Sequence, residues 1–233
     1  MTQAEAKAAK GSSLRRGEVR RLLDRLHAEA RGDWLRFPAL LPRLIRGKLR
    51  GKGFVEALTP AAMRNCYISV PREEGEFLYL TARALRAQRV VEFGTSFGIS
   101  TIYLGAAVRD NAGGIVVGTE LEPGKHERAV ANLREAGLDD VAEVRLGDAL
   151  ETLREVPEPV DLVFLDGWKD LYLPVLKLLE PRLRPGAVVL ADNIRTFRKA
   201  LRPYVEYVQS GENGFESATL PISDGLEYSY YTG

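Results

Sequence analysis

Cysteine is nearly absent, since the 233 residues contain one, Cys66. A lone thiol excludes an internal disulfide and any cysteine-built metal cluster, which favours a reducing compartment. Cys66 itself reads as a small buried hydrophobe rather than a nucleophile. Long apolar runs are missing too. Nothing approaches the roughly 18 residues of a membrane span, and the N-terminus has no signal-peptide core, so a soluble, cytoplasmic protein is expected. Neither sign of charge dominates: 33 Lys plus Arg face 32 Asp plus Glu, a net charge of +1, which argues against a globally basic surface for nucleic acid. His27 lies beside an apolar helical stripe with no partner motif around it and reads as a packed side chain. There is no internal repeat and no G-x-G-x-x-G, the fingerprint of a dinucleotide-binding loop.

What is present suffices for one core. With 45% hydrophobic residues the length fits a single α/β domain with an N-terminal extension. Met1 to Arg16 carry almost no large apolar residue and cannot repay the entropy of ordering. Residues 1–17 are therefore expected to be a disordered tail, 18–68 a helical extension and 69–233 the main domain. Val19, Leu22, Leu23, Leu26 and Ala30 recur at helical spacing, with Gly32 as the expected stop. Arg36, Arg43, Arg46, Lys48, Arg50 and Lys52 follow with no acid among them. That stretch reads as the solvated face of a helix, against the alternative of a surface for RNA, anionic lipid or an acidic partner.

From Ser69 the pattern becomes regular. Ser69-Val70-Pro71-Arg72-Glu73-Glu74 reads as a helix start, its acids suiting the positive end of the dipole. Strands are expected at 90–93, 115–120, 142–146, 160–165 and 187–191, separated by helices at 99–108, 123–136, 149–155 and 170–182, with a last helix at 196–209. Continuous apolar strands alternating with helices mean a parallel sheet covered on both faces. Phe215 to Pro221 and Leu226 to Tyr231 flank Ser223-Asp224-Gly225, a hairpin that adds an antiparallel pair at one edge.

The chemistry gathers at strand ends. Glu92-Phe93-Gly94-Thr95-Ser96-Phe97-Gly98 joins the first strand to its helix as E-x-G-x-x-x-G. Glycines there allow positive φ and close approach of a ligand, and free helix amides face it. Glu92 would repel a pyrophosphate but suits an ammonium group. Glu120, ending the next strand, can accept both hydroxyls of a ribose. An amino acid joined to a ribose describes S-adenosylmethionine. Ligands of open parallel sheets bind beyond the carboxyl ends of the strands, and there stand Glu92, Glu120, Asp148, Asp166 and Asp192-Asn193. Taken singly, Asp148 can be a helix cap and Asp192-Asn193 a turn.

Leu165-Asp166-Gly167-Trp168-Lys169-Asp170-Leu171-Tyr172-Leu173-Pro174, with Gly186-Ala187-Val188-Val189-Leu190-Ala191-Asp192-Asn193, resembles catechol O-methyltransferase and its bacterial relatives, followed by the caffeoyl-CoA O-methyltransferases. The resemblance spans Ser69 to Gly233. It implies a Rossmann-like class I methyltransferase fold, a mostly parallel seven-stranded sheet with a C-terminal antiparallel hairpin, here preceded by the N-terminal helical extension. It implies O-methylation of a small catechol-like or phenolic acceptor by S-adenosylmethionine. It also implies a divalent cation, usually Mg2+, on Asp166, Asp192 and Asn193. Lys169 would be the general base and Trp168 a wall for the acceptor ring. Glu92, Gly94 and Ser100 would address the methionine end of the cofactor, Glu120 the ribose and Asp148-Ala149 the adenine, with Thr95, Leu121 and Asp166 also among the cofactor-binding residues.

Two positions depart from the family pattern. Gly167 stands where catechol methyltransferase has a histidine. The family's glutamate for the second hydroxyl falls on Ala218, with Glu216 the nearest acid, which puts catechol itself in doubt as the acceptor. A nucleic-acid methyltransferase and a catalytically silent cofactor-binding protein are the rival readings. Against the first, no Asn/Asp-Pro-Pro-aromatic motif or Pro-Cys nucleophile is present; against the second stands the intact Asp166, Asp192, Asn193 set. Pairing as a homodimer is left open.

Overall fold

The computed structural model describes residues 12–33 and 70–233. The expectations for Met1 to Gly11, the basic stretch Arg36 to Lys52, Cys66 and the capping Ser69 lie outside the described residues. Within them the order is a short 3₁₀ turn (Ser13–Arg15), α1 (Gly17–Asp33), α2 (Arg72–Ala84), β1 (Arg89–Phe93), α3 (Ile99–Asp110), β2 (Ile115–Glu120), α4 (Pro123–Glu135), β3 (Ala142–Leu146), α5 (Ala149–Thr152), β4 (Val160–Leu165), α6 (Tyr172–Leu179), β5 (Leu183–Ala191), α7 (Arg198–Gln209), β6 (Phe215–Leu220) and β7 (Leu226–Tyr231). The seven strands form one sheet in the order β3-β2-β1-β4-β5-β7-β6. Pairing is parallel from β3 through β5 and antiparallel for β5 with β7 and β7 with β6, the expected plan.

Strand period divides the core in two. Val90, Leu162 and Val188 sit opposite one another on β1, β4 and β5 and point to one face, while Val91, Val163 and Val189, one residue on, point to the other. The first face is covered by α3 with α1 and α2 outside it, through Leu22, Leu26, Leu78, Ile102 and Leu104. The second is covered by α6 and α7, through Tyr172, Leu176, Leu179, Leu201 and Val208. Each such aliphatic side chain contributes on the order of 1.5–3 kcal/mol by leaving water. Helices α2 and α3 touch at Gly75, where a Cβ would stand 2.3 Å from the Tyr103 ring, so only glycine permits that approach.

Four expectations need correction. The end of the expected tail is not loose: Ser12 to Arg16 dock on α3. Both Ser13 N (2.9 Å) and Ser13 Oγ (2.6 Å) donate to Asp110, and Ser12 Oγ lies 2.8 Å from the Tyr79 hydroxyl. Polar anchoring, invisible to an apolar count, holds the turn. Gly32 does not stop α1, which reaches Asp33. The helix expected over 170–182 is broken into a 3₁₀ turn (Lys169–Leu171), α6 and another 3₁₀ turn (Glu180–Arg182) with Pro181 in its first positions. Pro185-Gly186, expected to precede β5, lies inside it. The pairing slips between Val160↔Leu183 and Leu162↔Val188, and Gly186 at φ +81° lets the extra residues bulge out.

Candidate active site

Parallel register sets the site. Phe93 is opposite Leu165 and Leu165 opposite Ala191, so the residues beyond the three strand ends, Gly94, Asp166 and Asp192, stand in a row. The ladder continues past the strands, with Asp166 N donating to Phe93 O at 2.8 Å and Asp192 N to Leu165 O at 3.0 Å. Gly94 adopts φ +97°, and a Cβ there would collide with the Gly167 backbone at 2.5 Å. A Cβ on Gly167 would in turn lie 2.4 Å from the Phe93 ring. Phe93 therefore occupies the space that a side chain at 167 would need, which accounts for the glycine at that departure from the family pattern.

The β1 and β2 ends form one half. Glu92 is fully buried; its Oε2 accepts from Thr95 Oγ1 (2.8 Å) and Thr101 Oγ1 (2.5 Å), while its Oε1 is buried without a partner. Burial raises its pKa, opposed by the hydroxyls of Ser100, Thr101 and Thr95. A buried carboxylate oxygen lacking a donor fits an incoming ammonium group. On β2, Gly118 keeps that cradle open, since a Cβ there would stand 2.3 Å from Thr95 Oγ1. Glu120 is half-buried; its Oε2 accepts from Ser96 N and its Oε1 from Glu122 N, both at 2.8 Å, which orients the carboxylate at the mouth. Leu121 beside it is 47% exposed. Asp148 is exposed and caps α5 by accepting from Leu150 N at 2.9 Å, with Ala149 buried after it. Capping and a place at the edge of the site are compatible.

The β4 and β5 ends form the other half. Lys169 Nζ donates to Asp166 Oδ1 (3.1 Å) and to the Tyr172 hydroxyl (2.6 Å), and that hydroxyl donates to Asp192 O (3.3 Å). The ammonium also lies 4.9 Å from the Tyr172 ring centre and 5.7 Å from that of Phe197. Asp192 Oδ1 accepts from Asn193 N (2.5 Å) and Oδ2 from Asn193 Nδ2 (2.7 Å), with Asn193 at φ +64°. Burial raises the Asp166 pKa against the pull of Lys169 and Lys125. Burial and the neighbouring Asp166 charge bring Asp192 up to about 7, again opposed by Lys169. Trp168 is half-buried and packs against the second core.

Two buried, crowded carboxylates with one lysine between them leave negative charge to neutralise, and their hard oxygens suit a magnesium-like cation. Among the described residues no three His, Cys, Asp or Glu side chains converge to hold a metal by themselves. A cation there would draw on Asp166, Asp192 and the amide oxygen of Asn193, leaving other positions open.

Three contributors were not legible in the sequence. Phe93 looked like an ordinary core residue. Tyr172, joining Lys169 to the Asp192 backbone, looked like a helix residue. Glu74, read with Glu73 as a helix-dipole acid, is fully buried and neither of its carboxylate oxygens has a hydrogen-bond partner, whereas Glu73 is exposed. Burial, then the Asp192 and Asp166 charges, push Glu74 up to about 9, with Lys169 and the nearby Ser223 hydroxyl, which falls short of hydrogen-bond geometry, pulling the other way. The signal available was position alone: the second of two acids in a first turn, one step round the helix from the first.

This sheet order, with a glycine loop after the first strand and acids at the following strand ends, defines the class I methyltransferase fold. Residues 91–194 match a family described as a methyltransferase domain. The chain is 40% identical over 128 residues to a catechol O-methyltransferase of Mycobacterium tuberculosis, covering 54% of this chain and 57% of that protein. It is 31% identical over 178 residues to the catechol O-methyltransferase of Sus scrofa, covering 70% of this chain and 93% of the relative. The crystal structure of an O-methyltransferase from Bacillus cereus in complex with SAH superposes with a TM-score of 0.66 at 27% identity, over 73% of this chain and 86% of that one. The chain belongs to the class I S-adenosylmethionine-dependent O-methyltransferases related to catechol O-methyltransferase. It spans little more than half of the mycobacterial relative's length. Among the described residues no helix is long and apolar enough to cross a membrane.

Proposed function

We propose that the chain transfers a methyl group from S-adenosylmethionine to a hydroxyl of a small phenolic or catechol-like acceptor, assisted by a divalent cation such as Mg2+. One observation carries this reading: the buried Glu92 with its unpartnered Oε1 and the Asp166, Lys169, Asp192 cluster sit on neighbouring, hydrogen-bonded strand ends. An ammonium-binding cradle beside an acidic, lysine-containing cluster matches a methyl donor placed next to an acceptor whose hydroxyl must lose a proton. The even charge balance supports a small molecule over nucleic acid, and the lone cysteine supports a cytoplasmic setting.

The residues divide the work. Glu92, Thr95 and Ser100, with the Gly94 backbone, address the methionine end of the donor. Glu120 takes the ribose hydroxyls and Asp148 and Ala149 the adenine, with Leu121 beside Glu120 in the cofactor cleft. Asp166, Asp192 and Asn193 hold the cation. When bound, the donor supplies an already activated methyl and the cation supplies positive charge that favours an acceptor oxyanion. A phenol near pKa 10 is only about 0.1% ionised at neutral pH, so the proton needs a receiver. Lys169 Nζ, held by Asp166 and the Tyr172 hydroxyl, is that receiver. Trp168 walls the ring, and positioning of the oxygen in line with the methyl carries much of the rate.

The test is incubation with labelled S-adenosylmethionine and a panel of catechols, phenolic acids and RNA, with and without EDTA. Label is expected on diols or phenols and lost with EDTA. Transfer to RNA alone, or undiminished transfer in EDTA, would overturn the reading.

A further inference from the structure

The donor half of the site buries a cation where local electrostatics disfavour one. Lys125 stands in the first turn of α4, at the positive end of that helix's dipole, where an acid is the ordinary choice. Its side chain is 7% exposed and places Nζ 5.5 Å from the centre of the Phe97 ring. The residue after Phe97 is Gly98, which starts α3 from the left-handed region and brings no side chain to cap the first amides of that helix. A second helix therefore begins, positive end first, beside the same ring. Arg128 approaches it too, with its guanidinium carbon 5.2 Å from the ring centre and an ion pair to Glu29 of α1 at 3.1 Å. The acids nearest in sequence face backbone amides: Glu122 Oε2 accepts from the amide of Lys125 itself (2.9 Å), and Glu120 from those of Ser96 and Glu122. Burying a cation at two helix starts costs free energy unless an anion answers it.

The loop under Lys125 is built to stay in place. Asn132, 6% exposed on α4, donates Nδ2 to Phe97 O at 2.9 Å, which fixes the backbone that carries the ring. Ser96, next to Phe97, adopts φ +51° and gives its amide to Glu120. At the start of the same loop, fully buried Glu92 offers its unpartnered Oε1. The charge of Lys125 reaches the cleft between these strand ends, since it acts on Asp166 beyond β4, and the charge of Asp166 in turn acts on Glu92. A ligand that brings an α-ammonium to Glu92 brings a carboxylate on the same carbon. An acid and a cation on either side of one loop match the two charges of that zwitterion.

We infer that Lys125 is a donor-binding residue whose Nζ pairs with the carboxylate of the donor's methionine tail beside the first amides of α3, so that the cradle selects the whole amino acid over an adenosyl amine without a carboxylate. This rests on the reading of the β1 and β2 ends as the donor half. Glu92 from β1 and Lys125 from α4 hold the tail from two elements. Two fixed charges set its direction, where one would leave it free to turn.

Calorimetry on the full chain tests this with S-adenosylhomocysteine and its decarboxylated analogue, which keeps the amine and lacks the carboxylate. Wild type should bind the homocysteine product about tenfold more tightly than the analogue, the range of one charge-assisted bond. Lys125→Met, of similar length and uncharged, should lose about fivefold on the product and stay within about twofold on the analogue, and Lys125→Arg, which keeps the charge, should recover part of the loss. In turnover the Met variant should raise KM for S-adenosylmethionine and leave kcat at saturating donor nearly unchanged. If product and analogue weaken together in Lys125→Met, the lysine only supports the fold and the inference is wrong. It is equally wrong if wild type binds the two alike, or if the Met variant binds the product as well as wild type. If binding follows the expected order but no hydroxylated acceptor takes a methyl group, the acceptor reading falls and this one stands. Absence of product binding to wild type overturns this inference and the donor reading of the cleft together.

Discussion

The two halves of the site hold acids in opposite ways. At the β1 and β2 ends, Glu92 and Glu120 are met by hydroxyls and backbone amides of their own loops. At the β4 and β5 ends, Asp166, Asp192 and Glu74 crowd round a single lysine; burial raises all three, and repulsion by neighbouring carboxylates adds to it for Asp192 and Glu74. A carboxylate surrounded by local donors is organised before a ligand comes; one surrounded by like charge is organised by it. The donor half is therefore a preformed cradle, and the acceptor half waits for positive charge and hydrogen-bond donors.

The sharpest way to break this comparison is at Asp192. Asp192→Ala should reduce turnover by ~10²-fold or more while S-adenosylhomocysteine binding, measured calorimetrically, stays within about twofold. Loss of both together would mean the halves are not separable. Lys169→Ala should lower kcat by ~10²-fold, with part of the loss recovered at high pH, where hydroxide replaces the base; a pH–rate profile checks it, and a parallel profile for variant and wild type would remove Lys169 from proton transfer. In the donor half, Glu120→Ala should weaken homocysteine-product binding by about 1.5 kcal/mol through loss of charge-assisted ribose bonds, roughly tenfold, and leave kcat at saturating donor nearly unchanged.

A further effect is on stability. Glu74 holds a proton in the folded metal-free chain up to about pH 9, against 4.5 as the ordinary value. Between these the folded state binds more protons than the unfolded, so stability falls as pH rises, by at most roughly 1.4 kcal/mol per unit for one group. His27 opposes it at the acid end only. Burial, then Arg72 and Arg31, lower it from 6.5 to about 4, so its contribution is lost as pH falls through that range. Above about pH 7 His27 no longer contributes to the slope. Urea unfolding without metal should show stability declining there, and Glu74→Met should flatten the decline; an unchanged slope in the variant would mean that Glu74 is not the buried proton holder.

Glycine punctuation, β-branched runs and acids at their ends are local features, which is why the sheet plan, the cofactor loop and every proposed metal and base residue could be named from the sequence. Tertiary structure alone decided what sequence distance conceals. Phe93 fills the place of a side chain at 167 because two strand ends meet there, and the Tyr172 hydroxyl bridges Lys169 and the Asp192 backbone across 20 residues. Ser13 finds Asp110 97 positions away, so a segment without apolar anchors is nonetheless docked. Glu73 and Glu74 are the same residue type in the same helical turn, and no local rule tells them apart. One turns to water and the other into the site because the sheet, α3 and the β6–β7 turn lie on one side of α2, a direction set only once the chain has packed.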